Sequence, residues 1–239
     1  MLLFSRRLFL IKLVVVGVGP GDPELITLKA LKAIEKANLV LVPTSGTGKD
    51  SVADTIIRSH LPNLKSVPIV FPMTRDEKTR DSKLHEQLED LRPHWSDAEN
   101  VVLPVIGDSA LYATGAYLYA AWKHLSPHIE LELIPGISAH SLTASRVGRF
   151  LALAEAVLSI VPGTASTASI EKDLCAASSV ALYKPSALGG DLPRIIDAAG
   201  PWTMMIRVDR AGLPDERIFE GREALAPAEE YLSTLLLWR

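Results

Sequence analysis

Gly17-Val18-Gly19-Pro20-Gly21-Asp22-Pro23 ends a run of apolar, mostly β-branched residues that begins at Leu13. Such a run predicts a strand that is buried on both faces, as in a parallel sheet. The three glycines let the chain turn sharply and let the backbone approach a ligand with no Cβ in the way. Open α/β sheets bind their ligands at the carboxyl ends of strands. We therefore predict that this stretch is a ligand-binding loop of an α/β domain.

The stretch differs in two respects from the G-x-G-x-x-G fingerprint of dinucleotide-binding domains. The third glycine of that fingerprint is Asp22 here, and the acidic residue expected at the end of the second strand is absent from Val42-Pro43-Thr44. Taken alone, this glycine-rich loop could also be a tight turn that binds no ligand.

A second glycine-rich loop, Gly46-Thr47-Gly48-Lys49-Asp50-Ser51, differs from the phosphate-binding loop of nucleoside triphosphatases. Pro43 and Asp50 stand where that motif requires glycine and Ser or Thr. Two interpretations stay open: the loop presents Lys49 to an anionic substrate, or it is a solvated linker.

Predicted strands and helices alternate along the chain, which favours a parallel α/β sheet with right-handed crossovers. After the first strand, the predicted strands are 39–42, 68–71, 101–106, 129–134, 156–161, 179–183, 202–208 and 231–237. The first predicted helix is capped by Thr27 and has Leu28, Leu31 and Ile34 on its apolar face. A later helix ends near Ser126. The other predicted helices are 52–60, 84–95, 142–147, 167–176 and 192–199.

The last predicted strand follows no clear helix, so antiparallel pairing is expected there. We predict an N-terminal extension over residues 1–11 and two α/β domains, over residues 12–126 and 127–239.

A third loop, Ile106-Gly107-Asp108-Ser109-Ala110-Leu111-Tyr112, follows the predicted strand 101–106. Asp108 is expected either to cap the next helix or to line a ligand pocket. Together with Gly17 to Pro23 and with Ile134-Pro135-Gly136-Ile137-Ser138-Ala139, this loop resembles the tetrapyrrole methylase family in motif order and spacing. The resemblance runs from about Leu13 to the C-terminus. Within the family the chain most resembles the enzymes that methylate C20 of precorrin-2 or cobalt-factor II in cobalamin biosynthesis.

The resemblance implies two α/β domains with a trough between them, a homodimer, and S-adenosylmethionine as methyl donor, with S-adenosylhomocysteine as product. Ser109 departs from the family, which usually has proline there, and Pro43 departs from the uroporphyrinogen methylases, which have aspartate. The donor contacts carried over by motif are Pro20, Ile106, Gly107, Asp108, Leu111, Ser138, Ala139, Tyr183, Lys184 and Ala211.

A sulfonium methyl is already activated, so the protein mainly has to align the donor with an electron-rich ring carbon and remove that carbon's proton. Tyr112 is our candidate for orienting the acceptor or moving the proton. The alternative is that Tyr112 is an aromatic residue of the core on a helix face. A tetrapyrrole is a polycarboxylate and would attract basic residues. The candidates in predicted loops are Lys49, Arg75, Lys78 and Arg80, which alternate with Asp76, Glu77 and Asp81 as a solvated charged face also would.

The composition narrows the location and the partners. Hydrophobic residues make up 48% and charged residues 22% of the chain, as in soluble globular proteins, and no apolar run approaches the length of a membrane span. Ser5-Arg6-Arg7-Leu8-Phe9-Leu10 resembles an export signal, but Lys12 interrupts it and no cleavage site follows. With Cys175 as its single cysteine, the chain is expected in the cytoplasm, without membrane association.

Neither nucleic acid nor a metal is an expected partner. The formal net charge is −3, which gives no overall attraction to nucleic acid, and the six histidines show no metal-binding spacing. Two alternative functions stay open: a related methylase acting on a macromolecule (ribosomal RNA or the diphthine of an elongation factor), and a tetrapyrrole-binding protein without catalysis.

Overall fold

The computed structural model describes residues 11–46, 51–72, 74, 76–227 and 229–239. The chain forms two compact units, one up to Ile137 and one from Ser138 onwards. Each unit contains a five-stranded sheet with helices, which confirms the predicted α/β class. Within these ranges no helix combines the length and the apolar character that crossing a membrane requires.

The first unit is a parallel sheet of order β3-β2-β4-β1-β5, as the alternation of strands and helices predicts. A short 3-10 helix at Pro23–Leu25 follows β1. The elements are β1 (Lys12–Gly17), α1 (Leu28–Glu35), β2 (Leu39–Thr44), α2 (Val52–Arg58), β3 (Val67–Val70), α3 (Glu77–Asp90), α4 (Arg92–Trp95), β4 (Asn100–Val105), α5 (Gly115–Leu125) and β5 (Glu130–Ile134).

Strand β1 is buried on both faces, as predicted. Leu13 and Val15 belong to a core cluster that includes Leu118 and Trp122 of α5. Val14 and Val16 belong to the cluster on the other face, which includes residues of α1 and α2. The strand is therefore fixed between two helical layers, and its carboxyl end is held at a defined edge of the sheet.

The division between the units lies later in the chain than residue 126. Strand β5 pairs in parallel with β1, with Leu131 opposite Leu13, and so completes the first sheet as its edge strand. The end of α5 at Leu125, followed by Pro127, resembles a domain boundary in the sequence. The chain instead returns to the same sheet after Pro127.

Two helices differ from their predictions. The helix predicted over 84–95 is divided between α3 and α4 at Leu91, because Pro93 lacks the N–H that a continuous helix needs. Thr27 caps α1 as predicted, accepting from the Ala30 N–H at 3.1 Å. Leu28, however, is 74% exposed, so the apolar stripe predicted for this helix was wrong at its first position.

The second unit is a mixed sheet of order β6-β7-β10-β8-β9. The last strand is antiparallel to both of its neighbours, as predicted, and β6 pairs in parallel with β7. Strand β9 was not predicted, because only one of its four side chains is even partly buried. The elements are α6 (Ala139–Arg146), β6 (Leu158–Pro162), α7 (Thr167–Ala176), β7 (Ser179–Tyr183), α8 (Leu192–Ala198), β8 (Met204–Asp209), β9 (Arg217–Glu220) and β10 (Ser233–Trp238), with 3-10 helices at Pro185–Asp191 and Gly221–Leu225.

Replacing Leu118 by alanine is expected to lower the free energy of unfolding by about 2–5 kcal/mol, because this side chain is fully buried against β1 and leaves a cavity. Chemical denaturation followed by circular dichroism measures the change. Leu28→Ala, on the exposed face of α1, is the matched control and is expected to stay within about 0.5 kcal/mol of the original chain. Equal losses in the two variants would contradict the assignment of this core.

Candidate functional site

Two of the predicted loops meet at the carboxyl ends of β1 and β4. Gly19 and Gly107 form an isolated antiparallel bridge. The Gly107 N–H donates to the Gly19 carbonyl oxygen at 2.8 Å, and the Gly19 N–H donates to the Gly107 carbonyl oxygen at 3.2 Å. Both residues have positive φ angles, +85° and +75°, which glycine adopts without strain. The glycines therefore join the two loops to each other by backbone contacts.

The loop after β5, which contains Pro135 and Gly136, approaches the same point. A Cβ on Gly17 would lie only 2.6 Å from the Gly107 carbonyl oxygen and from the Gly136 nitrogen. A Cβ on Gly136 would collide with the Gly107 carbonyl oxygen and lie 2.7 Å from the carbonyl group of Gly17. Real Cβ atoms do not make contacts this short. The structure thus requires glycine at positions 17 and 136 for the loops to pack together.

The carboxylate of Asp108 links two of these loops. Oδ2 accepts from the Gly136 N–H at 3.0 Å, and Oδ1 accepts from the Ala110 N–H at 2.7 Å. Helix α5 begins only at Gly115, after Thr114, so the interpretation of Asp108 as the cap of this helix was wrong. Because carboxylate hydrogen bonds are strong, Asp108 fixes the loop after β5 against its own loop after β4.

The loop after β4 leaves room in front of Gly107. The Cβ position of Gly107 has only the Ile137 carbonyl oxygen within 4 Å, at 3.9 Å, so a side chain there would project into open space. Ile106 is 36% exposed and Tyr112 is 43% exposed, and Leu111 is partly exposed. Apolar surface beside an open backbone is typical of a small-molecule site.

Tyr112 lies in the loop and not on a helix face, so its alternative interpretation as a core aromatic was wrong. Its φ of 51° is a left-handed conformation that only a few per cent of non-glycine residues adopt. Pro20 is buried and offers little surface to a ligand. Ser109, where the family usually has proline, is 5% exposed, and its Oγ has no hydrogen-bond partner among the described residues.

The second unit brings Ser138 and Tyr183, two of the predicted donor contacts, into one hydrogen-bonded network with His140. The Nδ1 of His140 lies 2.7 Å from the Tyr183 hydroxyl, which also accepts from the His140 backbone N–H at 3.3 Å. The Nε2 of His140 lies 3.2 Å from the Ser138 hydroxyl, which in turn lies 3.0 Å from that of Ser141. The start of α6 is thus tied to the end of β7.

The chain leaves β7 through Lys184, whose φ of 55° is left-handed. A Cβ on Gly163 would lie 2.5 Å from the Lys184 carbonyl oxygen, and the Gly163 N–H donates to the Tyr183 carbonyl oxygen at 2.7 Å. The glycine after β6 therefore supports the backbone at Lys184. Ala211, the remaining predicted donor contact, is 7% exposed.

A buried polar cluster fixes the end of β8 just before Ala211. Arg207 Nε lies 3.2 Å from Asp209 Oδ1, and both side chains are at most 3% exposed. The Ser233 hydroxyl donates to the same carboxylate oxygen at 2.5 Å. Arg207 Nη1 donates to the carbonyl oxygens of Ala224 and Ala226. The buried charge is therefore both paired and hydrogen-bonded, as its stability requires.

The predicted substrate-binding cations have different surroundings. Lys78 and Arg80 lie in the first turn of α3 and not in a loop as predicted. Arg80 stacks on the Tyr117 ring with its guanidinium carbon 3.9 Å from the ring centroid, and its side chain is 15% exposed, so intramolecular packing explains it without a substrate. Lys78 is exposed. Lys49 and Arg75 lie outside the described residues.

The neighbourhood of Lys78 is not purely basic. Asp76 caps α3, and the hydroxyl of Thr79, together with its N–H, holds the pKa of the Asp76 carboxyl below its ordinary value. Across the described part of the chain, no group of three or more His, Cys, Asp or Glu side chains is arranged to bind a metal ion.

Comparison with known proteins shows which family has this arrangement. The family model described as "Tetrapyrrole (Corrin/Porphyrin) Methylases" matches residues 12–226. The chain therefore belongs to the tetrapyrrole methylases, as its motifs indicate.

Two relatives in this family match most of the chain. The "Precorrin-2 C(20)-methyltransferase" of Sinorhizobium sp is 28% identical over 238 residues, covering 95% of this chain and 94% of that protein. The "Probable cobalt-precorrin-2 C(20)-methyltransferase" of Methanocaldococcus jannaschii is 30% identical over 216 residues, covering 87% of this chain and 86% of that protein.

A solved structure shares the fold. The uroporphyrin-III C-methyltransferase of Thermus thermophilus, solved with S-adenosylhomocysteine, matches with a TM-score of 0.67 and 20% sequence identity. The match covers 95% of this chain and 97% of that chain.

Gly136→Ala is expected to destabilise the chain by about 1–3 kcal/mol, because the new methyl group overlaps the backbone of Gly107 and Gly17 and forces the loops apart. Gly190→Ala is the control, since its Cβ has no neighbour within 4 Å. Denaturant unfolding of both variants makes the comparison. If Gly136→Ala were as stable as Gly190→Ala, the close packing of the three loops would be wrong.

Ser109→Ala is expected to raise the free energy of unfolding by about 1 kcal/mol, because it removes a buried hydroxyl that has no hydrogen-bond partner. Thermal unfolding measures the difference, with exposed Ser96→Ala expected to change little. A stability loss at Ser109 would mean that its hydroxyl is paired in solution.

Proposed function

We propose that this chain transfers a methyl group from S-adenosylmethionine to C20 of precorrin-2 or of its cobalt complex, in cobalamin biosynthesis. Membership of the tetrapyrrole methylases and the names of the two relatives support this proposal. The single observation that carries it is the packing of Gly17, Gly107 and Gly136, because it leaves unfilled space at the Cβ position of Gly107, where a ligand can approach the backbone closely.

The residues present fit the methyl donor. When bound, S-adenosylmethionine supplies a methyl group on a positively charged sulfur, which needs no further activation. The loop after β4 offers open space at Gly107 and exposed apolar side chains at Ile106 and Leu111. We propose that these residues form the donor site of the first unit. Asp108 holds their loop in place, and Pro20 supports the neighbouring loop after β1.

In the second unit we propose the same role for the segment that begins α6 and for the turns after β7 and β8. The residues are Ser138, Ala139, Tyr183, Lys184 and Ala211. The network around His140 fixes the start of α6, and Gly163 supports the turn after β7 at Lys184. Donor binding therefore costs little conformational entropy in these two segments.

The protein's task is to align the acceptor carbon with the donor methyl. Holding reacting atoms about 3–3.5 Å apart in the correct orientation accounts for about 7–11 kcal/mol of barrier reduction. We propose that exposed Tyr112 orients the tetrapyrrole ring and that Lys78, with Lys49 and Arg75, attracts its carboxylates. We also propose a homodimer and a cytoplasmic location; size-exclusion chromatography with light scattering tests the first.

Turnover tests the function directly. We expect S-adenosylmethionine carrying a 13C-labelled methyl group to give one labelled methyl at C20, located by NMR, when precorrin-2 or its cobalt complex is supplied without oxygen. The substrate that reacts identifies the branch of the pathway. Methylation of ribosomal RNA or of the elongation factor instead, or of nothing at all, would contradict the proposal.

Asp108→Ala is expected to weaken S-adenosylhomocysteine binding about tenfold or more, because it removes two charge-assisted hydrogen bonds that hold the donor loop. Isothermal titration calorimetry gives the dissociation constant, expected to be micromolar for the original chain, about −8 kcal/mol. Asp97→Ala, at an exposed position after α4, is the control and is expected to bind normally. Equal affinities would exclude Asp108 from the donor site.

A further inference from the structure

Because Tyr112 is proposed above to orient the tetrapyrrole ring, the proton of the acceptor carbon still needs an acceptor. When a ring carbon that bears hydrogen receives a methyl group, its proton has to leave before the conjugated ring is restored. A base within hydrogen-bond reach accelerates such a step by about 10²–10⁴-fold. The side chain best suited to the task near neutral pH is histidine.

The second unit contains a histidine in a suitable arrangement. A neutral His140 ring with its proton on Nε2 fits both of these ring contacts: Nε2–H donates to Ser138, and Nδ1 accepts from the Tyr183 hydroxyl. The Tyr183 oxygen accepts from the backbone N–H of His140 at the same time. The hydroxyl is thus held in one orientation, with His140 ready to receive its proton.

The position of the pair links it to the reaction. Tyr183 ends β7 and His140 lies in the first turn of α6, two residues after Ser138. Both side chains are only partly buried, so that a ring can reach them. Ser138, Ala139, Tyr183 and Lys184 are the residues that we propose for the donor in this unit. The acceptor carbon must come close to the donor methyl, and hence to these same residues.

We propose that Tyr183 and His140 act together as the proton acceptor of the methylation, an inference that rests on the proposed function. The new carbon–carbon bond forms as the sulfur–methyl bond breaks, which leaves S-adenosylhomocysteine. The C–H bond of the methylated carbon then breaks, and its electron pair returns to the macrocycle. The proton passes to the Tyr183 oxygen while the Tyr183 proton passes to His140 Nδ1, and the imidazolium later releases a proton to water.

The test uses the substrate that the original chain methylates, prepared with hydrogen or with deuterium at the carbon that reacts. Tyr183→Phe removes the hydroxyl, and His140→Asn keeps a hydrogen-bonding group near Nδ1 but cannot hold the proton. We expect kcat to fall about a hundredfold in both variants and a primary deuterium isotope effect to appear, because proton removal becomes rate-limiting. Because Tyr183 is also a proposed donor contact, the affinity for S-adenosylhomocysteine is expected to fall, but by much less than kcat. His128→Asn, at an exposed position, is the control.

The outcomes separate the two proposals. If the original chain is active and both variants keep its rate, the inference is wrong and the proposed function stands. Loss of activity with an equal loss of S-adenosylhomocysteine binding and no isotope effect would also overturn it, since Tyr183 would then only hold the donor. If the original chain methylates no tetrapyrrole, the proposed function fails, and this inference fails with it.

Discussion

The contact on which the first unit depends is the packing of three backbone segments with no side chain between them. Gly17, Gly107 and Gly136 lie so close together that a Cβ on Gly17 or Gly136 would collide with the backbone of the other segments. The parallel sheet makes this contact possible, because β1 lies between β4 and β5 and all three strands end at the same edge. The motifs that identify the family are therefore parts of one packing arrangement.

That arrangement connects the fold to the site. Asp108 joins two of the loops through backbone N–H groups, and the bridge between Gly19 and Gly107 joins the third. With its backbone fixed on both sides, the loop after β4 can keep Tyr112 in a left-handed conformation that a free loop would leave. The predicted site residues of this loop are therefore held by contacts within the protein itself.

The second unit fixes its functional segments by polar contacts. His140 ties the start of α6 to the end of β7, and the ion pair of Arg207 with Asp209 fixes the strand that leads to Ala211. Removing one partner of the buried ion pair would leave an uncompensated charge, so the structure strongly favours the arrangement in which the pair is intact. Both units therefore fix the loops that follow their strands. The first unit does so by close backbone packing, and the second by polar side-chain contacts.

The sequence was sufficient for the elements whose signals are local. The apolar run of β1 and the cap at Thr27 predict their structures correctly, because burial on both faces and a side-chain acceptor act within a few residues. The three loop motifs also predict the family. Features that depend on distant partners were not predicted.

The errors have physical causes. The division between the units was placed near Pro127 because nothing in the sequence shows that β5 pairs with β1. Asp108 was interpreted as a possible helix cap because its true partner, Gly136, lies 28 residues further along. Arg80 was expected to face a substrate, but its guanidinium stacks on Tyr117 of another helix and forms an ion pair with Asp81. The pairing of His140 with Tyr183, 43 residues apart, has no local signal at all.

The central claim is that the three glycine loops of the first unit hold the methyl donor. Hydrogen–deuterium exchange, measured by mass spectrometry with and without saturating S-adenosylhomocysteine, tests it without any mutation. The account predicts slower exchange in residues 17–22, 106–112 and 135–139, with little change in α3 or β9. Binding that leaves these three loops unprotected, or protection confined to another part of the chain, would contradict it.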